Sequence, residues 1–543
     1  MATPLRAGVL IAPFAALILV FIAGWIGFGP TLQAFAEESL AWLMQSLGWL
    51  FTGIGLAAVV MLAVLYAVLS AIRIGGAEAR RGHSAFTAIA IGVAASTSLG
   101  LLFWATAEPL YHAHQPPTSL RIPPLTDEAA TFARYATVFH WAIIANVMNA
   151  LCMVVFGLTI HNLGRRQTLD GVMFRAETAR AAGSALDGFL VFFASLVVVG
   201  AMASCTLALS GEMSRFGTLD PNPAALFALA LALVFVIFVA GARPIRTVYA
   251  ILARAGLVLM MVMMAVAVIL GPTGDILGGG LAAIWRMILS LPSMLTFTGL
   301  SSGDPWPQTW TMTHWGNAMV LAPLTGLFLS RAARGFQVGD AVLYFSVVPA
   351  LITMLWVLVF GGLALSVDEA SSGSIWAAIA RGGPDDAAYT ALWSLPGGES
   401  LMVGFVILIA LAFSTYAAAM LHAVMRICAP GAEDSEAVGS ARASVAIIWC
   451  AGLGIAGWGL ASYGVNSVVE TLARIGSLPA LVGMAGFLFA ALRLVARPGS
   501  LNVAIQPDPV QIELDLGEIA DEIDEIESDL ARAPRRRKRR KSA

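Results

Sequence analysis

The chain has 543 residues, 59% of them hydrophobic and 12% charged, with a mean hydropathy of +0.82. A water-soluble fold cannot hide that much apolar surface, so the composition excludes a soluble enzyme or binding module and makes the bilayer the solvent. A net charge of −2 says nothing about partners, because opposite charges are segregated along the chain, and both lysines, Lys538 and Lys541, fall in the extreme C-terminal tail; no nucleic-acid partner is expected.

Taken in chain order, apolar segments of membrane-crossing length occur at 7–28, 47–71, 86–110, 136–160, 184–210, 223–241, 250–272, 311–331, 341–366, 400–427, 443–463 and 471–495. The fold class expected is an all-α polytopic membrane protein of about twelve spans. The first segment is too long for a signal-peptide core and lacks a small-residue cleavage site, so it reads as a retained span. With both termini cytoplasmic, 25 basic residues fall on the inner side and 6 on the outer, the asymmetry expected of a multi-pass inner-membrane protein. Residues 274–308 read as an external interfacial helix and a Pro-rich connection, and 367–398 as a polar outer loop. Cys152, Cys205, Cys428 and Cys450 lie in apolar segments without metal-ligand spacing and read as packing residues.

Beyond Arg497 the character changes. Ile512, Leu516, Ile519, Ile523, Ile526 and Leu530 follow a 4-3-4-3-4 spacing, a short coiled-coil seam that competes with a solvated tail. The cluster RRRKRRK that follows suits anionic lipid headgroups or the acidic helix before it.

The third segment carries the strongest functional signal. Residues 94–109 read AASTSLGLLFWATAEP, placing three hydroxyl residues and a glycine in mid-span. Unwound backbone at that depth survives only where it is buried in protein or lines a cavity, and in secondary transporters such breaks serve cargo and ions. The stretch GLLFWATAEP resembles the GLxFWGxAEP signature of the betaine/carnitine/choline transporter family. TVFHWAIIAN, ARAGLVLMMVMMAVAVILGPT and GDPWPQTWTMTHWGNAMVLAPLTGLFLSRAARG resemble that family's fourth-, seventh- and eighth-span motifs in order. LGWLF opens the second span in the same way.

The resemblance implies two inverted five-helix repeats, spans 3–7 and 8–12, in a homotrimer that moves quaternary-ammonium solutes. The domains expected are 1–85 (two leading spans), 86–272 (first repeat), 273–310 (interfacial helix and linker), 311–496 (second repeat) and 497–543 (tail). It implies an aromatic cage in which ring faces attract a cation, but here most of that cage is replaced. Trp141 is kept, while Asn146 and Asn149 stand at the next two cage positions of the fourth span. On a helix both lie within an arc of about 140° of Trp141. In the eighth span Trp310 and Trp315 remain, whereas Asn317, Ala318 and Leu321 replace three tryptophans.

The substrate-binding set expected is therefore Trp141, Asn146, Asn149, Trp104, Trp315, Asn317, Ala318, Leu321 and Ser98. Asparagines there either donate to a solute unlike trimethylglycine or bond neighbouring helices. For the coupling ion, the resemblance implies carbonyls at the break facing hydroxyls of the tenth span, which gives Ala94, Thr97, Leu411, Ser414 and Thr415 as a sodium site. The Tyr416-Ala417-Ala418 that follows departs from the family's pattern.

Glu108 reads as a cap, a gate or a solute contact, and His140 as a structural histidine rather than a proton carrier. His112 and His114 are placed in the outer loop, where two histidines alone do not make a metal site. Arg331 and Arg334 anchor the inner end of the eighth span. The function expected is sodium-coupled import of a small betaine-like or related zwitterionic solute. The alternatives are a sodium-independent exchanger and, from a different class, a membrane sensor without transport. No cofactor, catalytic residue or metal beyond sodium is expected: HExxH is absent, and no span carries two acidic residues.

Overall fold

The computed structural model describes residues 6–501 except 26–27, 98, 174–179, 432–435 and 465. The expected tail helix and basic cluster lie outside the described residues. Among the described residues the chain is helical, and extended backbone pairs only at an isolated bridge between Arg73 and Gln337. Ten helices among the described residues are long and apolar enough to cross a bilayer, and the bent pair Ala85–Ser96 and Leu99–His114, counted as one span, makes an eleventh.

Nine of those ten coincide with predicted spans. The tenth, Thr273–Thr296, falls where the sequence reads as an interfacial helix, and by length and composition it also qualifies as a span. The two remaining predicted spans are helices as well, Ala7–Trp25 and Thr313–Ala332. The second of these carries Thr313, His314, Asn317 and Arg331, yet most of it is buried among other helices. A helix shielded from lipid by protein does not need a fully apolar surface.

Helix ends follow local chemistry. The fourth span begins earlier than its apolar segment, because Thr126 caps it by accepting from Ala129 N at 3.2 Å. Asp127 and Glu128 then occupy its positive first turn. The second span runs back to Gly29, past the predicted Leu47, since Glu37 and Glu38 are compatible with helix once they face water.

The segment at 367–398 is not the polar loop that its composition suggests. It folds into two short helices, Ser374–Gly382 and Pro384–Trp393. Asp368 Oδ1 accepts from the backbone of Ile375 at 2.9 Å and Trp376 at 2.8 Å, capping the first. Gly373 and Gly383, at φ of +93° and +94°, supply the left-handed turns at their starts. Buried Ile375, Ala387 and Leu392 face inward, and Tyr389 meets Phe103 edge-on at 5.6 Å. Helical spacing of the apolar residues, hidden by low overall hydropathy, decides this region.

Two close crossings set the geometry around the broken span. A Cβ on Gly326 would lie 2.4 Å from Cys152 Cβ, so the eighth and fourth spans touch backbone to backbone. Pro109 cannot bond the carbonyl of Ala105, and the ninth span, Val348–Ala370, passes that carbonyl with Gly361. A Cβ there would lie 2.9 Å from Ala105 O. On the opposite side of the molecule, Ile74 N donates to Phe336 O at 2.9 Å and Val338 N to Ile72 O at 2.9 Å. This tie joins the loop after the second span to the loop after the eighth.

Candidate solute and ion site

The predicted interruption is present. The run Ser96-Thr97-Ser98 has weak helix propensity, because hydroxyl side chains compete for backbone groups. The first half-helix ends at Ser96, and Thr97 turns to extended backbone, φ −81° and ψ +97°, while its N–H still reaches Val93 O at 2.7 Å. The second half starts at Leu99, and the two axes differ by 68°. The stretch from Ala94 to Ser96 thus forms the negative end of a half-helix, where a cation is favoured. Thr97 is buried, and its Oγ1 has no hydrogen-bond partner.

The tenth span, Gly398–Cys428, packs against this half-helix and carries Leu411, Ser414 and Thr415. Both hydroxyl residues are buried. Thr415 Oγ1 donates to the carbonyls of Leu411 at 2.8 Å and Ala412 at 3.1 Å, so its proton is spoken for while its lone pairs remain available.

The fourth span runs beside the break. Its backbone widens to a π-helix over Phe139–Ile144, a local feature common at functional sites. Asn149 Nδ2 points to Ser96 Oγ at 3.4 Å, which brings one predicted solute residue to the interruption itself. Asn146 Nδ2 donates to Ala142 O at 2.9 Å, and its Oδ1 is buried without a partner. An orphaned amide oxygen costs about 1–3 kcal/mol. Ser346 of the ninth span donates to the Asn146 carbonyl at 2.9 Å.

Toward the far end of the second half-helix the chemistry is different. Glu108 is fully buried, and its two oxygens collect donors from two elements. His140 Nδ1 donates to Oε1 at 2.6 Å, and Trp141 Nε1 donates to Oε2 at 2.7 Å. His112 Nε2, one turn further along the Glu108 helix, donates to Oε1 at 3.2 Å. Behind His140, Thr311 Oγ1 bonds Nε2 at 3.0 Å. His314 stacks on His140, with centroids 4.5 Å apart, and stands with Nε2 3.5 Å from Glu108 Oε2. A buried carboxylate supplied with this many charge-assisted donors is held in one geometry.

The other predicted residues separate into two groups. Trp104 is half-buried and joins an outer aromatic cluster, 5.9 Å from Tyr111 and 6.0 Å from Trp310. Asn317, Ala318 and Leu321 lie half-buried at helical spacing from His314, on one stripe of the eighth span. Trp315 sits off that stripe. It is fully buried, meets Phe139, and lies against Gly55 of the second span, where a Cβ would be 2.7 Å from the indole. Ser98 lies outside the described residues.

His112 and His114 are not in a loop. The broken span continues helically through both, because Pro109 is tolerated where a crossing glycine makes room. His112 therefore points inward, and His114 pairs with Asp368 at 3.0 Å and stacks on Trp376 at 4.2 Å. The sequence reading missed His314, Thr311, Tyr111, Trp376 and Ser346. A signal existed for His314, since an imidazole inside a membrane segment marks a functional site by default.

The family described as "BCCT, betaine/carnitine/choline family transporter" matches residues 9–498. An uncharacterized transporter of Mycobacterium tuberculosis is 27% identical over 308 residues, 55% of this chain and 51% of that protein. A glycine betaine/proline/choline transporter of Vibrio parahaemolyticus is 25% identical over 372 residues, covering 64% of this chain and 66% of its own length. The glycine betaine transporter OpuD of Bacillus subtilis is 25% identical over 349 residues, 62% of this chain and 65% of its own. The chain thus spans between about half and two thirds of the length of these curated relatives. With its family matched along nearly its whole length and its third span broken beside the fourth and tenth, the chain belongs to the betaine/carnitine/choline transporter family.

Proposed function

We propose that the chain is a secondary active transporter that imports a small betaine-like or related zwitterionic solute by alternating access, coupled to sodium. The observation that carries this reading is the interruption at Thr97, which sets a helix end beside Asn149 and an unpartnered hydroxyl at the end of a half-helix packed on the tenth span. Oxygen donors of that kind suit a hard monovalent cation. Trp141 offers one ring face for a cationic group. Asn146 and Asn149 supply amide groups where a fuller aromatic cage would supply none, favouring a solute that both accepts and donates hydrogen bonds.

On this reading spans 3–7 and 8–12 form the two inverted repeats and both termini face the cytoplasm of a multi-pass cell-membrane protein. Three copies associate, and the basic tail meets anionic lipid. The relatives named for glycine betaine, proline and choline set the first solutes to try.

The test is uptake into proteoliposomes of labelled betaine, choline, carnitine, proline and sulfonium analogues, with and without an inward sodium gradient. Accumulation that needs the gradient supports the proposal. Equal uptake without sodium replaces it by exchange, and no uptake of any solute favours a sensor.

A further inference from the structure

The histidines around Glu108 have a chemistry that solute transport does not use. Glu108, His112 and His140 bring one carboxylate oxygen and two imidazole nitrogens to within 4.8 Å of one another, all buried. His314 stands beside them as a third ring, with Nδ1 3.0 Å from the carbonyl of Trp310 and Nε2 3.5 Å from Glu108 Oε2.

We propose that Glu108, His112 and His140 form a binding site for a first-row divalent metal ion of the zinc type, with the His314 ring stacked beside it. A nitrogen-rich set with one carboxylate selects zinc, cobalt or nickel over magnesium and calcium, which take oxygen. Tetrahedral zinc with bonds of about 2.0–2.1 Å holds its ligand atoms about 3.3 Å apart. The Glu108–His112 separation of 3.2 Å already matches this. The Glu108–His140 separation of 2.6 Å needs to open by under about 1 Å.

The supporting shell is in place. Trp141 holds Glu108 Oε2 at 2.7 Å, which leaves Oε1 as a one-oxygen ligand. Once His140 binds metal through Nδ1, its proton resides on Nε2 and donates to Thr311 Oγ1, 3.0 Å away. Entry is from the His314 side: its side chain is 17% exposed, while Glu108 and His140 side chains are at 0%. Bound metal would clamp the third and fourth spans together, so external zinc blocks any movement that separates them.

The experiment uses the full chain, purified with chelator and placed in lipid nanodiscs, and titrated with cobalt(II) and then zinc(II). The expected result is one cobalt per chain with the visible absorption of a tetrahedral site, bleached by zinc. His112→Phe, which keeps a ring against Phe132 and Trp306, and His140→Gln each weaken zinc binding by about tenfold or more. No saturable cobalt band in the wild type overturns the proposal and leaves a cluster that holds only protons. So does a band that neither substitution alters. The measurement needs no transported solute, so its failure leaves the uptake reading untouched, and a protein that moves nothing still reports on metal.

Discussion

Two places on the same broken span show opposite ways of burying polar atoms. At Thr97 oxygen is left over: a buried hydroxyl has no partner, and Asn146 nearby keeps an unpaired amide oxygen. At Glu108, about 15 Å further along the helix by its rise per residue, the carboxylate oxygens receive hydrogen bonds from His140, His112 and Trp141. Unsatisfied oxygen in a dry interior costs free energy that only a ligand or ion recovers. A saturated cluster instead fixes the relative placement of the helices that contribute to it. The region of the break is therefore read as the place that binds cargo, and the Glu108 cluster as the joint that holds the pieces.

The largest effect should come from the joint. Glu108→Ala leaves His140, His112 and Trp141 without their shared acceptor, and should destabilise the fold by about 3–5 kcal/mol. Thermal unfolding followed by size-exclusion chromatography measures this, and an unchanged transition would mean that the cluster holds nothing together.

A smaller and different effect is expected at the break. Thr97→Ala removes an oxygen that bonds nothing in the protein, so stability should hardly move while half-saturation by sodium rises about tenfold, roughly 1.4 kcal/mol. Loss of stability without a change in sodium dependence would transfer Thr97 to packing. Asn149→Ala should weaken apparent solute affinity about five- to tenfold, read from uptake at varied solute concentration. If affinity is untouched, the contact with Ser96 is only a helix-to-helix bond.

The smallest effect sharpens the comparison from outside the spans. Asp385, on the second short outer helix, is a carboxylate without the donors that Glu108 has. Burial first, then the charges of Glu470 and Asp386, push it up to about 6. A folded-state value above the ordinary one near 4 means that ionisation opposes folding. Its burden is absent below about pH 4, grows between about pH 4 and 6, and is fully present at neutral pH. Asp385→Asn should raise the melting temperature modestly at pH 7 and not at pH 4. A gain that is equal at both would remove the electrostatic explanation.

Much of the frame was readable in advance. Apolar segment length located the spans, and the hydroxyl run with its glycine located the break to within a residue or two. The reason is that lipid forbids unpaired backbone, so any lapse in helix-forming sequence must mark protein-lined space. The helical outer segment was missed because two short amphipathic helices carry too little hydropathy to stand out, and their caps, Asp368 and two glycines, matter only once the chain has folded back.

The site was legible unevenly. Asn149, Thr97 and Trp141 were identified from helical spacing and from a family motif, and the first two meet at the interruption or lie within it. Trp315 was named beside them, and its burial against Gly55 and Phe139 places the indole in the packing between spans. A difference of one position on a helix turns a side chain by about 100°, and sequence alone does not say which face a neighbour covers.

The sequence by itself determined that the chain lives in a membrane, where most of its crossings lie, and where its third crossing fails. Those are local properties: segment hydropathy, helix propensity and the cost of bare backbone in hydrocarbon act within a few turns of one helix. Only the tertiary structure decided that Glu108 gathers His112, His140, Trp141 and His314, residues spread over 206 positions of the chain from first to last. Bringing them together required glycine crossings at Gly326 and Gly361 and a widened turn at Phe139–Ile144. Such contacts depend on which helices pass close enough to touch, and that is settled by packing the whole bundle rather than by any one segment.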